Sequence, residues 1–155
     1  MRALLLENIH SDGAAALENA GYAVESLDRA LSGEELADRL EGVHVLGVRS
    51  KTQVSAEHLR DADSLLAIGA FCIGTDQIDL SAASEQGVAV FNAPYSNTRS
   101  VVELALAEII ALTRGMVEKN RLLHEGIWDK SAAGAHEVRG RTLGIVGYGN
   151  IGAQL

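Results

Sequence analysis

Cysteine is scarce in this sequence and long apolar runs are absent from it, which together exclude two classes of protein. Cys72 is the single cysteine, so no disulfide can form within the chain and nothing marks a secreted, disulfide-stapled protein. No apolar run approaches the roughly 20 residues that cross a bilayer. The apolar run at the N-terminus is too short for a signal peptide. We therefore predict a cytoplasmic protein that does not enter a membrane.

Basic residues are also in the minority, with 13 Lys and Arg against 21 Asp and Glu and a net charge of −8. An acidic chain repels phosphodiester backbones, which argues against a nucleic-acid partner. A chain of 155 residues can bury a core without disulfides or metals. None of the histidines has a metal-ligand spacing with another His or Cys, so no metal site is predicted.

Short apolar runs alternate with helical patterns over the first two thirds of the chain. Strands are predicted at residues 2–7, 22–26, 43–48, 65–69 and 88–91. Helices are predicted between them at 11–20, 32–40, 55–61 and 80–86, with Ser11 as an N-cap and a capping box at residues 32–35. Near-continuous apolar strands joined by helices indicate a parallel sheet covered on both faces. We predict that residues 1–97 form one doubly wound α/β domain.

The pattern changes after Pro94, the only proline. A second capping-box spacing, Ser100 to Glu103, predicts one long helix that ends near Gly126. Its first half is apolar on nearly every side, which predicts burial between domains or in an oligomer interface. A last strand is predicted at residues 142–146.

That strand leads into the spacing G-x-G-x-x-G at Gly147, Gly149 and Gly152. Gly147 permits a tight turn, Gly149 lets the backbone approach a pyrophosphate, and Gly152 permits close packing at a helix N-terminus. The alternative is a structural glycine turn in another α/β protein. The acidic residue that would contact the ribose lies about 20 residues further on, past Leu155, so these residues do not distinguish NAD from NADP.

Four segments, in order, carry a resemblance to a known family: residues 49–52 (RSKT), 68–80, 91–103 and 147–152. Together they resemble the D-2-hydroxyacid dehydrogenase family, and within it the branch that oxidises 3-phosphoglycerate. The resemblance covers essentially the whole chain. It implies a flavodoxin-like substrate-binding domain at 1–97, followed at 98–155 by the start of a Rossmann-type NAD-binding domain.

The resemblance also implies an activity: NAD-dependent oxidation of 3-phosphoglycerate to 3-phosphohydroxypyruvate in serine biosynthesis. It further implies a homodimer or tetramer formed through the long helix and the region of Trp128. The family's catalytic Arg, Glu and His would lie beyond Leu155, so we expect no turnover from these residues alone. Two alternatives stay open: a non-catalytic anion-binding or dimerisation module, and a dehydrogenase for another D-2-hydroxyacid.

Site residues follow from the resemblance position by position. Arg49, Ser50 and Lys51 would contact the substrate phosphate, and cations just after a parallel strand agree with that role. The alternative is a solvated basic loop, and Lys51 stands where relatives carry Arg. The backbone amides of Ile73 and Gly74 would hold the substrate carboxylate, unless the glycine serves only a turn.

The remaining site residues lie later in the chain. Asn97 would contact the substrate and Thr98 the nicotinamide, with helix capping as the alternative role for this pair. Asn150 and Ile151 would join the three glycines around the pyrophosphate of NAD. Lys130 resembles a lysine that reaches the active site of a neighbouring subunit.

Overall fold

A computed structural model describes all 155 residues, which fall into two compact units, Met1–Ser96 and Asn97–Leu155. The first unit contains five strands, β1 (Arg2–Leu5), β2 (Ala23–Ser26), β3 (Val45–Val48), β4 (Ala67–Ala70) and β5 (Ala89–Asn92). Its helices are α1 (Ser11–Asn19), α2 (Gly33–Leu40), α3 (Ala56–Arg60) and α4 (Leu80–Glu85). The strands form one parallel sheet in the order β2-β1-β3-β4-β5. This is the flavodoxin-like order, so the predicted fold class is confirmed.

The core of this unit explains why the apolar runs become strands. Leu4, Leu46, Ile68 and Val90 are neighbours in register across β1, β3, β4 and β5. The first three are fully buried, and Val90 packs against the same cluster. Burying each large aliphatic side chain contributes about 1.5–3 kcal/mol. The side chains that cover this row include Leu36 and Leu40 of α2 and Leu59 of α3.

Helix N-termini differ in detail from the predictions. Ser11 is the first residue of α1 and not its N-cap; the cap is His10, whose Nδ1 accepts from the Asp12 N–H at 3.2 Å. An imidazole nitrogen supplies the acceptor that an oxygen usually provides. Ser32 does precede α2, but its side chain makes no capping bond. A reciprocal capping box forms instead at α3, between Ser55 and His58.

The predicted long helix is two helices, α5 (Thr98–Thr113) and α6 (Met116–His124). Helix α5 begins two residues before Ser100, with Asn97 as its N-cap. The break falls at Gly115, which has a left-handed φ of 62°. Glycine adopts this conformation without steric cost, so the chain turns there although apolar periodicity continues on both sides.

Burial of the apolar first half of this region does not occur within the chain. Thr98 and Val102 are buried, whereas Leu104 is 60% and Leu112 74% exposed. Trp128, which follows α6, is also exposed. No helix is long and apolar enough to span a membrane. Burial of this surface in an oligomer stays a prediction.

Residues 142–146 do not form the predicted strand. All five strands lie in the first unit, so these residues have no neighbour in Asn97–Leu155 with which to form a ladder. An apolar run becomes a strand only when its backbone N–H and C=O groups find partners. The glycine turn that follows does form, and the Leu155 N–H donates to the Ile151 carbonyl at 3.1 Å.

Candidate functional site

The carboxyl ends of β1, β3 and β4 carry the polar loops of the first unit. In this strand order the chain reverses direction across the sheet between β1 and β3, and ligands of such folds bind at that switch point. Arg49, Ser50 and Lys51 follow β3 directly, and Ile73 and Gly74 follow β4 closely. Because Val48 pairs with Ala70, the two loops leave neighbouring strands side by side. The structure therefore brings these five predicted residues to one edge.

The cationic side chains at this edge are free. Arg49 and Lys51 are exposed, and neither takes part in any of the ion pairs of the chain. Two clefts meet at Arg49. One is lined by Asn8, Ile9, His10, Ser11 and Phe71, and the other includes Glu7, Asp28, Arg29, Ser50 and Lys51. Unpaired cations beside open clefts can receive an anion.

Backbone amides at the same edge are also available. The N–H groups of Ser50, Ile73 and Gly74 donate to no acceptor of the protein. The carbonyl of Ile73, in contrast, accepts from the Asn92 side-chain amide at 2.7 Å. A Cβ added to Gly74 would meet only Asp76, at 3.7 Å. The fold itself therefore does not require glycine there, and the missing side chain leaves the amides uncovered.

A residue that the sequence did not single out, Glu7, organises the loop after β3. Its side chain is buried, and Oε1 accepts from the N–H groups of Arg49 at 3.1 Å and Thr52 at 2.9 Å. Oε2 accepts from the N–H of Lys51 at 3.0 Å. Burial raises the pKa of the Glu7 carboxyl, but these backbone donors and the nearby Thr52 side chain together outweigh it and hold the pKa below its ordinary 4.5. The only signal in the sequence was an acidic residue ending the apolar run RALLLE.

Gln77 holds the same loop from the other side. It is buried, and its Nε2 donates to the carbonyl of Arg49 at 2.5 Å and to that of Gly74 at 3.4 Å. The thiol of Cys72 also reaches these two carbonyls, at 3.5 and 3.2 Å. Gln77 therefore links the loops that follow β3 and β4.

In the second unit, the glycine turn is compact. Gly147 has a φ of 97°, and a Cβ on Gly152 would lie 2.2 Å from the Gly147 carbonyl oxygen, so only glycine fits there. Gly149 faces open space. The N–H groups of Asn150 and Ile151, like those of Gly149 and Gly152, donate to no acceptor of the protein. Free amides around a glycine turn suit a pyrophosphate.

The other predicted residues of this unit are placed less distinctively. Asn97 is exposed at the N-terminus of α5 and makes no side-chain capping bond. Thr98 is buried, and its hydroxyl has no hydrogen-bond partner. Lys130 is exposed beside Trp128 in a cleft next to α6, and it forms no ion pair.

The family described as D-isomer specific 2-hydroxyacid dehydrogenase, catalytic domain, matches residues 3–147. The chain is 50% identical to D-3-phosphoglycerate dehydrogenase of Haemophilus influenzae over 153 residues, which is 98% of this chain and 37% of that protein. It is also 50% identical to D-3-phosphoglycerate dehydrogenase 1 of Saccharomyces cerevisiae, over 100% of this chain and 33% of that protein. The chain thus spans about a third of the length of these relatives.

Solved structures agree. The crystal structure of the TT0316 protein from Thermus thermophilus matches with a TM-score of 0.88 and 31% identity, covering 99% of this chain and 51% of that one. NAD-dependent formate dehydrogenase from Staphylococcus aureus, solved with NAD, matches with a TM-score of 0.81 and 28% identity, covering 99% and 51%. The family match, the identities and the shared fold lead to one conclusion: this chain belongs to the D-isomer-specific 2-hydroxyacid dehydrogenase family.

Proposed function

We propose that this chain supplies the substrate-binding part of an NAD-dependent cytoplasmic enzyme that oxidises 3-phosphoglycerate to 3-phosphohydroxypyruvate for serine biosynthesis. The observation that carries the proposal is the free cations and free amides at one edge of the sheet. Identity of about 50% to D-3-phosphoglycerate dehydrogenases supports the choice of substrate within the family.

The proposed substrate has an anion at each end, and the edge offers two kinds of anion receptor. The guanidinium of Arg49 can bind a phosphate through two parallel hydrogen bonds, while Lys51 adds a point charge and Ser50 an amide. The amides of Ile73 and Gly74 would receive the carboxylate. In this arrangement the hydroxyl-bearing carbon of 3-phosphoglycerate would lie between the two loops. Asn97 and, from a neighbouring subunit, Lys130 would add further polar contacts.

The cofactor in this proposal is NAD, which accepts the hydride from the substrate when bound. The turn at Gly147, Gly149 and Gly152 would hold its pyrophosphate, with the amides of Asn150 and Ile151 as donors. Thr98 would contact the nicotinamide. The left-handed Gly147 and the carbonyl that leaves no room for a Cβ at Gly152 support this fit. The NAD complex of the Staphylococcus aureus relative supports NAD as the cofactor.

The proposal includes a homodimer or tetramer, formed through α5, α6 and the region of Trp128. Its support is the apolar surface that the chain leaves exposed, which includes Leu104, Leu112 and Trp128. Contiguous exposed apolar surface is typical of an interface. We also propose that the catalytic Arg, Glu and His of the family lie outside these residues, so the purified chain should form no NADH from 3-phosphoglycerate.

Isothermal titration of the chain with 3-phosphoglycerate and with D-glycerate, which lacks the phosphate, tests the substrate. We expect 3-phosphoglycerate to bind at least about tenfold more tightly, the value of one charge-assisted contact. Arg49→Gln should remove that preference. The matched control is Arg60→Gln, because Arg60 is an exposed arginine on α3.

Equal affinity for both ligands would favour a dehydrogenase of another D-2-hydroxyacid. Binding of inorganic phosphate as tightly as 3-phosphoglycerate would favour a non-catalytic anion-binding module. An Arg49→Gln variant that keeps the wild-type preference would overturn the assignment of this loop.

A further inference from the structure

We propose that Glu7 is the positioning residue of the anion-binding loop: its buried carboxylate sets the conformation of residues 49–52 and so determines how tightly the site binds a phosphorylated anion. This inference rests on the proposed function for its ligand. It assigns a role to a residue that would not itself contact the substrate.

The Glu7 carboxylate accepts its hydrogen bonds from one short loop. A carboxylate can accept about four hydrogen bonds, and Glu7 uses three of them on the N–H groups of Arg49, Lys51 and Thr52, at 2.9–3.1 Å. All three donors lie within one four-residue loop. The N–H group that Glu7 leaves free is that of Ser50, so the loop keeps an amide for a ligand. A carboxylate that receives successive backbone amides fixes the path of that backbone.

The backbone at Glu7 has an unusual conformation. Glu7 and Asn8 have φ values of 63° and 54°, and they are the only non-glycine residues of the chain with positive φ. Asparagine tolerates this left-handed conformation, whereas glutamate adopts it only where its surroundings impose it. Here the Glu7 N–H donates to the Arg29 carbonyl and the Asn8 N–H to the Leu27 carbonyl, both at 3.1 Å. The turn directly after β1 is therefore held in place from the β2 side.

Glu7 lies at the edge of the sheet where the loop of residues 49–52 also begins. Glu7 follows β1 and Arg49 follows β3, and these adjacent parallel strands flank the switch point of the sheet. Ligands of this fold type bind there. A residue that served stability alone could sit anywhere in the core, whereas Glu7 acts on the loop that carries the two unpaired cations.

The negative charge of Glu7 is not spent on the neighbouring cationic side chains. A carboxylate beside Arg49 and Lys51 could pair with either cation and cancel it, but Glu7 forms no ion pair. Its oxygens are occupied by backbone donors instead. The loop is therefore shaped by a negative charge, while both cationic side chains stay free for an anion.

The test compares Glu7→Gln with Glu85→Gln in the 155-residue chain. Both substitutions remove one negative charge, but Glu85 is exposed at the end of α4 and takes part in no side-chain hydrogen bond. In Glu7→Gln the side-chain NH₂ would face an N–H of the loop, so at least one of the three hydrogen bonds is lost. Hydrogen exchange of the amides of Arg49, Lys51 and Thr52 reports loop order without any ligand. Titration with 3-phosphoglycerate reports affinity.

We expect the three loop amides to exchange their hydrogens faster in Glu7→Gln than in the wild type. The amides of β4 should keep their wild-type exchange rate. We expect the Kd of Glu7→Gln for 3-phosphoglycerate to rise roughly tenfold, because the population of the binding-competent loop falls. Glu85→Gln should match the wild type in both measurements. A second variant, Glu7→Asp, keeps the charge and should recover part of the protection.

Two outcomes would overturn the inference and are distinct. Unchanged loop exchange in folded Glu7→Gln would show that Glu7 does not position the loop. Faster exchange with unchanged affinity, in a chain where Arg49→Gln abolishes binding, would show that loop order does not control the site and would leave the proposed function intact. If Arg49→Gln binds as tightly as wild type, the proposed function fails, and with it the part of this inference that concerns the ligand.

Discussion

The side-chain amide of Gln77 donates to the carbonyl oxygen of Arg49 at 2.5 Å, across 28 positions of sequence. Glu7 accepts from the N–H of the same residue. Both backbone polar groups of Arg49 are therefore held by buried side chains, one from the segment after β1 and the other from the segment after β4.

Replacing Gln77 with Met should lower the free energy of unfolding by about 1–2 kcal/mol. The carbonyl of Arg49 loses its amide donor and keeps only the weak thiol donor of Cys72 at 3.5 Å, while the side-chain volume is nearly unchanged. The matched control is Gln53→Met, since Gln53 is exposed and forms no side-chain hydrogen bond. Urea denaturation of both variants measures the difference. Equal midpoints for the two variants would contradict the structural role of Gln77.

The stabilising effect of Glu7 should depend on pH in one direction. Its pKa in the folded chain lies below the ordinary 4.5, so protonation favours the unfolded state. The contribution of Glu7 is fully present above about pH 4.5 and is lost as the pH falls through its folded pKa. The difference in unfolding free energy between wild type and Glu7→Gln should therefore shrink below pH 4.5. A difference that grows on acidification would refute the lowered pKa.

The buried row of Leu4, Leu46, Ile68 and Val90 across the sheet should contribute more to the free energy of unfolding than exposed apolar side chains do. Leu46→Ala removes a fully buried side chain at the centre of that row and should cost about 2–5 kcal/mol. Leu112→Ala removes the same group from a residue that is 74% exposed, and should change the stability of the monomeric chain by less than about 0.5 kcal/mol. Chemical denaturation at low protein concentration measures both. Similar losses would mean that Leu112 is buried in solution.

A side chain added at Gly115, where α5 and α6 are separated, should destabilise the protein. Gly115→Ala places a side chain at a φ of 62° and should destabilise the second unit by about 1 kcal/mol. Gly144→Ala is the control, because Gly144 has an ordinary φ and open space around its Cα. Thermal unfolding followed by circular dichroism compares the two. A higher helix content with unchanged stability in Gly115→Ala would show that the helices can fuse.

The elements that apolar periodicity specifies were predictable. Runs such as residues 43–48 and 65–69 predicted β3 and β4, because an apolar run of that length between helical patterns is typical of a buried parallel strand. The same reasoning placed Arg49 and Lys51 after β3, and hence at the edge where ligands of such folds bind. The strands needed only local sequence and the rules of parallel sheets, whereas the choice of Arg49 and Lys51 as site residues came from the family resemblance.

Features that depend on distant partners were not predictable. Glu7 contacts residues 42 to 45 positions away, and no local pattern indicates such a partner. Residues 142–146 have the composition of a strand, but a strand forms only where a neighbour exists to pair with it. Gly115 sits in a continuous helical pattern, where glycine is tolerated, so periodicity could not indicate that the helix would break there.

The long span of the Glu7 contacts has a consequence for how the protein folds. The loop of residues 49–52 cannot take its shape until β1 and β3 have paired, since Glu7 and Arg49 lie at the ends of those strands. Contacts of such sequence separation form late, after the loop-closure entropy between the strands has been overcome. Substitutions at Glu7 should accordingly accelerate unfolding and leave the refolding rate almost unchanged. The loop of residues 49–52 is then among the last parts of the chain to become ordered during folding and among the first to open.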